Sequence, residues 1–411
     1  MIQHINTEIA IIGAGVIGLV IAEALVAEGR EVVLIDPNPP GSGASYGNAG
    51  TIADYAVLPV GTPEVLRHLP SLLFDRGAPL SILPAAMIGL APWLWRFARA
   101  ALPGPAARNT AALAGLLAGA RAGWEELAGR IGAADLLATR GCLYAYPTAA
   151  GFRAAAADMG RRRDLGVRVE MIDAAALAGL EPGLPAAGAA FFPDAAFLTD
   201  PGQVMARLRL AAMQHAGLLT GRVDGLTRQF DGVILEGVGF RLHARRVILA
   251  AGAHGRQLAR MAGDAVPLET ERGYHAEWDM AVPRLNRPAC LTGRGIYLCP
   301  MAGRLRVAGT VELGGLAAPP SPHRIARLVA GARAVFPDLG EPDRVWMGFR
   351  PSLPDSLPVI GFSAAGPEVI HAFGHGHIGV TLAPMTARIV ADLVAGRVPE
   401  RDISACRVGR F

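Results

Sequence analysis

Four consecutive apolar residues, Ile-Ala-Ile-Ile at 9–12, run straight into glycine, and a stretch rich in aliphatic and alanine residues follows at 20–27. A short unbroken apolar run predicts a strand buried on both faces, and the second stretch predicts a helix packed on its sheet. A further apolar strand is expected over 31–35, with Asp36 at its end. The same sequence of signals returns late in the chain. Residues 246–251 predict a strand running into Gly252-Ala253-His254-Gly255, and Gly374-His375-Gly376-His377-Ile378-Gly379 precedes a helical stretch at 382–395. Between these pieces, Leu113, Leu116, Leu117, Ala120, Trp124, Leu127 and Ile131 recur at helical spacing and predict a buried stripe. Strands are predicted at 274–278, 295–299 and 305–308.

The first strand and helix are joined by Gly13, Gly15 and Gly18 in the pattern G-x-G-x-x-G. The first glycine permits the tight turn, the second lets backbone approach a pyrophosphate, and the third lets helix and strand pack closely. A diphosphate then meets the free N–H groups of the helix N-terminus. Asp36 suits an adenosine ribose and repels a 2′-phosphate, which disfavours NADP. Because glycine-lined helix starts recur near 252 and 376, one long ligand is held from both ends of the chain, which suits FAD better than NAD. The expected fold is α/β: a discontinuous Rossmann-type FAD-binding domain (1–55, 196–266 and 345–411) plus an α+β substrate domain with a mixed or antiparallel sheet (56–195 and 267–344).

Composition narrows the class. The 411 residues are 52% hydrophobic and 18% charged, with a mean hydropathy of +0.33, oily for a freely soluble protein. A formal charge of +4 is spread over scattered arginines, and the densest run, Arg161 to Arg163, is expected to be a solvated helix face rather than a nucleic-acid site. Cys142, Cys290, Cys299 and Cys406 form no CxxC pair and no zinc spacing, so no metal site is expected. With no signal peptide before the first strand, a reduced, cytoplasmic location is expected. The stretch 77–95 carries no charge, but Pro79, Pro84 and Pro92 argue against a transmembrane helix.

Four segments in order, GAGVIG from Gly13, SYGNAG from Ser45, GFRPSLPDSLPVIG from Gly348 and GHGHIG from Gly374, resemble the FAD-dependent D-amino acid dehydrogenases. These belong to the wider amine-oxidising group that includes glycine oxidase and sarcosine oxidase. The resemblance implies a flavin ring at the domain boundary. It implies cofactor contacts from Gly13, Gly15, Val16, Ile17, Gly18, Asp36 and Pro37 at the N-terminal fingerprint, and from Ser45, Asn48, Ala49 and Gly50 at the flavin loop. Val223, in a strand before Asp224, would reach the adenine side, and Ala251 and Gly252 would back the cofactor. Gly348, Arg350, Gly376, His377, Ile378 and Gly379 would surround the pyrimidine end of the ring. No cysteine accompanies the late segments as in sarcosine oxidases, so FAD is expected to be noncovalent.

The chemistry needs positioning rather than attack, since the flavin accepts the hydride. Arg350 is the candidate clamp for a substrate carboxylate, a role its counterpart plays in glycine oxidase, with a structural salt bridge as the alternative. Tyr274 is either a donor to the carboxylate or a core residue. His275 either holds the amine and takes its proton or is satisfied by its neighbours. Arg272 is a second carboxylate contact or a surface residue, and Tyr46 closes the site or packs. His377 stands where glycine oxidase has arginine, which counts against glycine or sarcosine as substrate.

The expected reaction is oxidative deamination of a D-amino acid, D-proline and its hydroxylated form included, with electrons passed to a quinone or other acceptor. The alternatives are a glycine- or sarcosine-type oxidase using oxygen and a flavin electron-relay subunit of a hetero-oligomer. Trp93, Leu94, Trp95 and Phe97 beside Arg96 and Arg99 suit a bilayer interface, so peripheral attachment to the cytoplasmic face of the inner membrane is expected, with a buried core or an oligomer interface as the competing reading.

Overall fold

A computed structural model describes residues 2–67 and 80–411. Strand β1 (Gln3–Ile12) lies between β2 (Val32–Asp36) and β13 (Phe240–Leu249), parallel to both. Parallel pairing continues outward to β10 (Gly217–Thr220) beside β2 and to β20 (Gly366–Phe373) beside β13. β19 (Val359–Ser363) pairs antiparallel with β20, while β11 (Gly225–Gln229) and β12 (Gly232–Gly237) add an antiparallel hairpin to β13. Three stretches distant in sequence thus share one sheet. Val223 is buried in the connection between β10 and β11, not in a strand as expected.

Helices α1 (Val16–Ala27), α5 (Pro201–Met213) and α7 (Gly379–Ala395) cover one face of this sheet in a common apolar core. Among the described residues only the stretch 376–395 is long and apolar enough to cross a membrane, and 78% of it is buried in the protein. The helical stripe falls on α3 (Pro103–Leu117) and α4 (Ala120–Arg130), and Leu113, Leu116, Trp124 and Leu127 are buried. It packs against α7 in the core of the parallel sheet, and the Trp124 indole donates to the Val380 carbonyl at 2.8 Å. These helices, counted with the substrate domain by sequence, therefore complete the nucleotide-binding core.

The second sheet has nine strands. Its path runs from β18 (Arg344–Ser352) through β14 (Glu269–Asp279), β17 (Arg304–Leu313), β16 (Ile296–Met301), β15 (Ala289–Leu291), β6 (Cys142–Tyr146) and β8 (Gly188–Phe192) to β7 (Glu170–Asp173). β4 (Leu80–Ile82) joins β17, and pairing is antiparallel except at β4–β17 and β6–β15. Helix α6 (Pro322–Arg333) covers one face. Residues 345–352, assigned to the FAD-binding domain by sequence, lie in this sheet, because β18 pairs with β14 over its whole length. A short third sheet of β3 (Thr51–Ile52), β9 (Ala196–Leu198) and β5 (Leu137–Ala138) lies along the path between the two parts.

The oily segment forms β4, a short turn and α2 (Met87–Ala100); residues 77–79 of the charge-free stretch fall outside the described residues. Trp93 and Phe97 turn inward and stack in a cluster with Leu90 and Leu313. Only the outer face, with Met87, Ile88 and Trp95, meets solvent, and Arg99 lies over the Trp95 ring.

Candidate active site

The nucleotide end is built at the C-terminal edge of the parallel sheet. Gly13 adopts φ 109°, and a Cβ on Gly18 would sit 1.8 Å from the Gly13 carbonyl oxygen, so only glycines allow α1 to begin this close to β1. Asp36 closes β2 and accepts the Ala14 N–H at 2.8 Å, tying the turn to the neighbouring strand. Ser45 Oγ accepts the Val16 N–H at 3.0 Å, which brings the flavin loop to the helix start. No acidic side chain occupies the first turn of α1, so its positive end is free to meet a diphosphate. Ala250 and Ala251 abut Gly13, placing the end of β13 and Gly252 on the same edge. A dinucleotide fits this cradle.

The flavin loop is held from the other side by the second sheet. His275 Nδ1 lies 3.0 Å from the Gly47 carbonyl, and the ring stacks on Trp346 at 5.0 Å. A carbonyl only accepts, so Nδ1 carries the proton. Burial, then the nearby Arg306, pushes the His275 pKa down to about 4, leaving a neutral ring. Arg306, fully buried, donates to the carbonyls of Tyr46 and Asn48. Its other partner is Glu277, whose carboxylate also receives Arg304 at 2.9 Å and Arg344 at 3.0 Å. Burial alone would raise Glu277, but the guanidiniums, Arg306 foremost, hold it at about 2. Asn48 Oδ1 accepts the Gly50 N–H at 2.8 Å, turning the loop past Ala49 toward β3.

The segment expected at the pyrimidine end is the turn Gly376–Ile378, which leads into the start of α7 at Gly379. His375 is buried, with Nε2 3.0 Å from Thr386 Oγ1, and desolvation lowers its pKa to about 3. His377 lies deep in the molecule yet is solvent-exposed, so its ring faces a water-accessible cleft, and water there softens the burial that lowers its basicity. Arg350, on β18, adds to that lowering. Its Nη1 donates to the Thr310 carbonyl at 3.1 Å, and its guanidinium lies across Gly273, where a Cβ would meet it at 2.5 Å. Glu271 stands directly opposite Arg350 in the β14–β18 ladder. Glu271, His375 and His377 line one small cavity walled by Val60, Trp93 and Phe97.

These features bring the glycine turn at Gly13, the loop 45–50 and the turn before α7 against the face of the second sheet that carries Glu271, His275 and Arg350. Over residues 8–393 the sequence matches the family described as FAD dependent oxidoreductase, DAO. The chain belongs to the DAO family of FAD-dependent oxidoreductases. It is 32% identical over 98% of its length to a D-amino-acid oxidase of Bradyrhizobium diazoefficiens, covering 98% of that protein. It is 32% identical over 95% of its length to D-amino acid dehydrogenase 2 of Ralstonia nicotianae, covering 97% of that relative. Among solved structures, glycine oxidase from Geobacillus kaustophilus superposes with a TM-score of 0.77 at 25% identity, covering 99% of both chains. FAD is the cofactor and the activity is that of an FAD-dependent amine oxidoreductase.

The geometry of this DAO-family site decides among the readings of three residues. Tyr274 lies on the other face of β14, in the core under α6; its hydroxyl donates to Glu312 Oε2 at 2.6 Å and accepts the Ser321 N–H. Arg272 is neither a surface residue nor a clamp beside Arg350, since it is fully buried and pairs with Glu312 at 2.8 Å on that same far face. His275 is held by its neighbours, its Nδ1–H donating to the Gly47 carbonyl of the flavin loop and its ring stacked on Trp346. Tyr46 is half exposed and packs on Gly202 at the start of α5. Glu271, Glu277, Arg306, Thr310 and Trp346 were missed. The signal for two of them was the period-two run Glu269, Glu271, Gly273, His275, Glu277, which puts polar or small residues on one strand face.

Proposed function

We propose that this flavoenzyme oxidatively deaminates D-amino acids, with Arg350 holding the substrate carboxylate, and passes the electrons to a quinone or another acceptor. The observation that carries the reading is the placement of Arg350: a half-buried guanidinium between Gly273 and the turn before α7 that, among the described residues, hydrogen-bonds the Thr310 carbonyl. A guanidinium held in this way keeps N–H groups for a two-point grip on a carboxylate. The names of the two full-length relatives support the substrate class. FAD, when bound, would supply the hydride acceptor; the chain's own residues would fix the carboxylate, line the cavity with Trp93 and Phe97, and hold the flavin loop through Arg306 and His275. The apolar wall suits a nonpolar or cyclic side chain such as that of D-proline.

All four cysteines are buried, Cys142, Cys290 and Cys299 within sheet strands, which supports noncovalent FAD. The exposed outer face of α2 supports a peripheral membrane contact on the cytoplasmic side, with Trp95 rather than Trp93 or Phe97 at the interface. Anaerobic titration of the purified yellow protein with D-, L- and N-methyl amino acids tests the substrate. Bleaching by D-amino acids is expected, and bleaching only by glycine or sarcosine would overturn the reading. The likeness to glycine oxidase favours a second reading, an oxygen-using oxidase. Stoichiometric oxygen consumption during turnover would establish it over the quinone acceptor.

A further inference from the structure

We propose that Glu271 is a catalytic residue that receives the substrate's ammonium group and takes its proton, so that the cleft recognises an amino acid as a zwitterion; this rests on Arg350 holding the carboxylate. Glu271 and Arg350 face each other across the β14–β18 ladder, in register and on one side of the sheet. Cross-strand partners of this kind have Cβ atoms about 4.5–5.5 Å apart. They carry opposite charges, Glu271 buried and Arg350 half-buried, yet they form no salt bridge: the guanidinium donates to Thr310 instead. Two opposed charges left side by side without pairing, at a cavity that Glu271 lines, are the complement of a small molecule carrying the reverse pair.

The chemistry requires such a group. An α-amino acid arrives with its nitrogen protonated, and the hydride leaves the α-carbon only when the nitrogen lone pair is free. In the proposed step one N–H bond of the ammonium breaks and an O–H bond forms on Glu271, giving a neutral amine and a neutral carboxylic acid. No oxidant enters this step. Burial raises the Glu271 pKa, with Arg350 and Ser352 opposing, which makes the carboxylate a stronger base than one in water. The other titratable groups facing it are Arg350 from β18 and His375 and His377 from the turn before α7; α2 brings only Trp93 and Phe97.

The test compares wild-type holoenzyme with Glu271→Gln in two ways. First, anaerobic flavin reduction by a D-amino acid is followed against pH. The variant binds only substrate whose amine is already neutral. Its reduction rate is therefore expected to fall about ten- to a hundred-fold near pH 7 and to rise about tenfold per pH unit toward the amine's own pKa. Second, binding of benzoate, a carboxylate with no amine, is read from the flavin absorbance change. Here the variant is expected to bind more tightly than wild type, because the unpaired anion beside the ligand is gone. A weaker grip on amino acids with a stronger grip on benzoate is a crossed response that structural damage does not give. His377 faces the same cleft, but its pKa, lowered to about 4, keeps its titration below this pH range.

Superimposable pH profiles, or a parallel loss of affinity for both ligands, would overturn the proposal. If the glutamine variant loses its flavin, Glu271→Leu, of similar bulk and uncharged, repeats both measurements. Failure of the parent reading looks different: no D-amino acid would bleach the wild type, whereas the benzoate comparison still reports on Glu271.

Discussion

Arg350 donates from Nη1 to the carbonyl of Thr310 at 3.1 Å, and Thr310 presents that carbonyl from a left-handed backbone with φ 57°. A β-branched residue in this region is strained, and its buried Oγ1 has no hydrogen-bond partner. The register of β14 against β17 shifts here, between Arg272 and Tyr274, so the strain marks the bulge that turns the carbonyl toward the guanidinium. Thr310→Gly should release about 1–2 kcal/mol of backbone strain and return about 0.5–1 kcal/mol through the entropy of the unfolded chain. The expected outcome is a slightly higher urea midpoint with a several-fold higher KM, since the support under Arg350 loosens. A lower midpoint with unchanged KM would remove the strain from the functional account.

Arg350→Lys keeps the charge and loses the planar fork. One charge-assisted contact contributes roughly 1.5–3 kcal/mol, so KM should rise about ten- to a hundred-fold with FAD still bound. Steady-state kinetics beside the absorbance of the purified variant separates the two effects, and unchanged kinetics would assign Arg350 to structure.

The strand β14 shows what was legible and what was not. Its existence, and the polar character of alternate residues, stand in the sequence E-T-E-R-G-Y-H-A-E-W. Tyr274 and His275 are both site candidates by residue type, yet neighbours on a strand point to opposite faces, so at most one of them can reach the cleft. That constraint was available from period alone. Which face meets the cofactor depends on α6 covering one side and the flavin loop the other, contacts between residues separated by scores of positions, such as His275 with Gly47. The glycine turn at Gly13 and the turn before α7 were legible because their chemistry is local. The Glu277 hub was not, since its three arginines come from β17 and β18.

Gly18→Ala tests the local part. Its Cβ would stand 1.8 Å from the Gly13 carbonyl oxygen, a distance that backbone must move to relieve. The start of α1 would shift away from β1, opening the diphosphate cradle. The expected product is colourless or weakly yellow protein with a large loss of thermal stability, read by flavin content per chain and by Tm. Stoichiometric FAD in this variant would contradict the assignment of the cradle.

Glu277→Gln tests the distant part. The carboxylate neutralises Arg304, Arg306 and Arg344, and Arg306 in turn holds the Tyr46 and Asn48 carbonyls. Removing one partner from a buried ionic network costs about 3–5 kcal/mol, because the remaining charges stay unpaired. Arg306 should then loosen its grip on the flavin loop, so FAD affinity is expected to fall together with the denaturation midpoint. Fluorescence of released flavin during a thermal ramp follows both, and loss of stability without earlier flavin release would confine the hub to folding.

The histidines give the chain a pH response whose sign can be worked out. His375 falls from an ordinary value of 6.5 to about 3 because it is buried, and His275 falls to about 4 for the same reason. Below pH 6.5 the unfolded chain therefore binds protons that the folded chain refuses, so these two rings stabilise fully above 6.5 and lose that contribution as pH falls toward their folded values. Asp54 acts in the opposite sense: burial and then Asp194 raise it to about 6, so the folded chain takes its proton first and gains stability as pH falls from 6 to 3.8. Glu271, raised by burial, adds to that opposing side. Glu277, held at about 2, contributes only below 4.5. The wild-type curve between 6.5 and 4.5 is consequently shallow, and the informative quantity is a difference between variants. His375→Gln removes one proton from the balance, worth about 1.4 kcal/mol per pH unit. Relative to wild type the variant should gain about 2–3 kcal/mol on passing from pH 6.5 to 4.5, measured by urea unfolding at each pH. A constant difference across that window would mean that His375 is charged in the folded protein, contrary to its burial against Thr386.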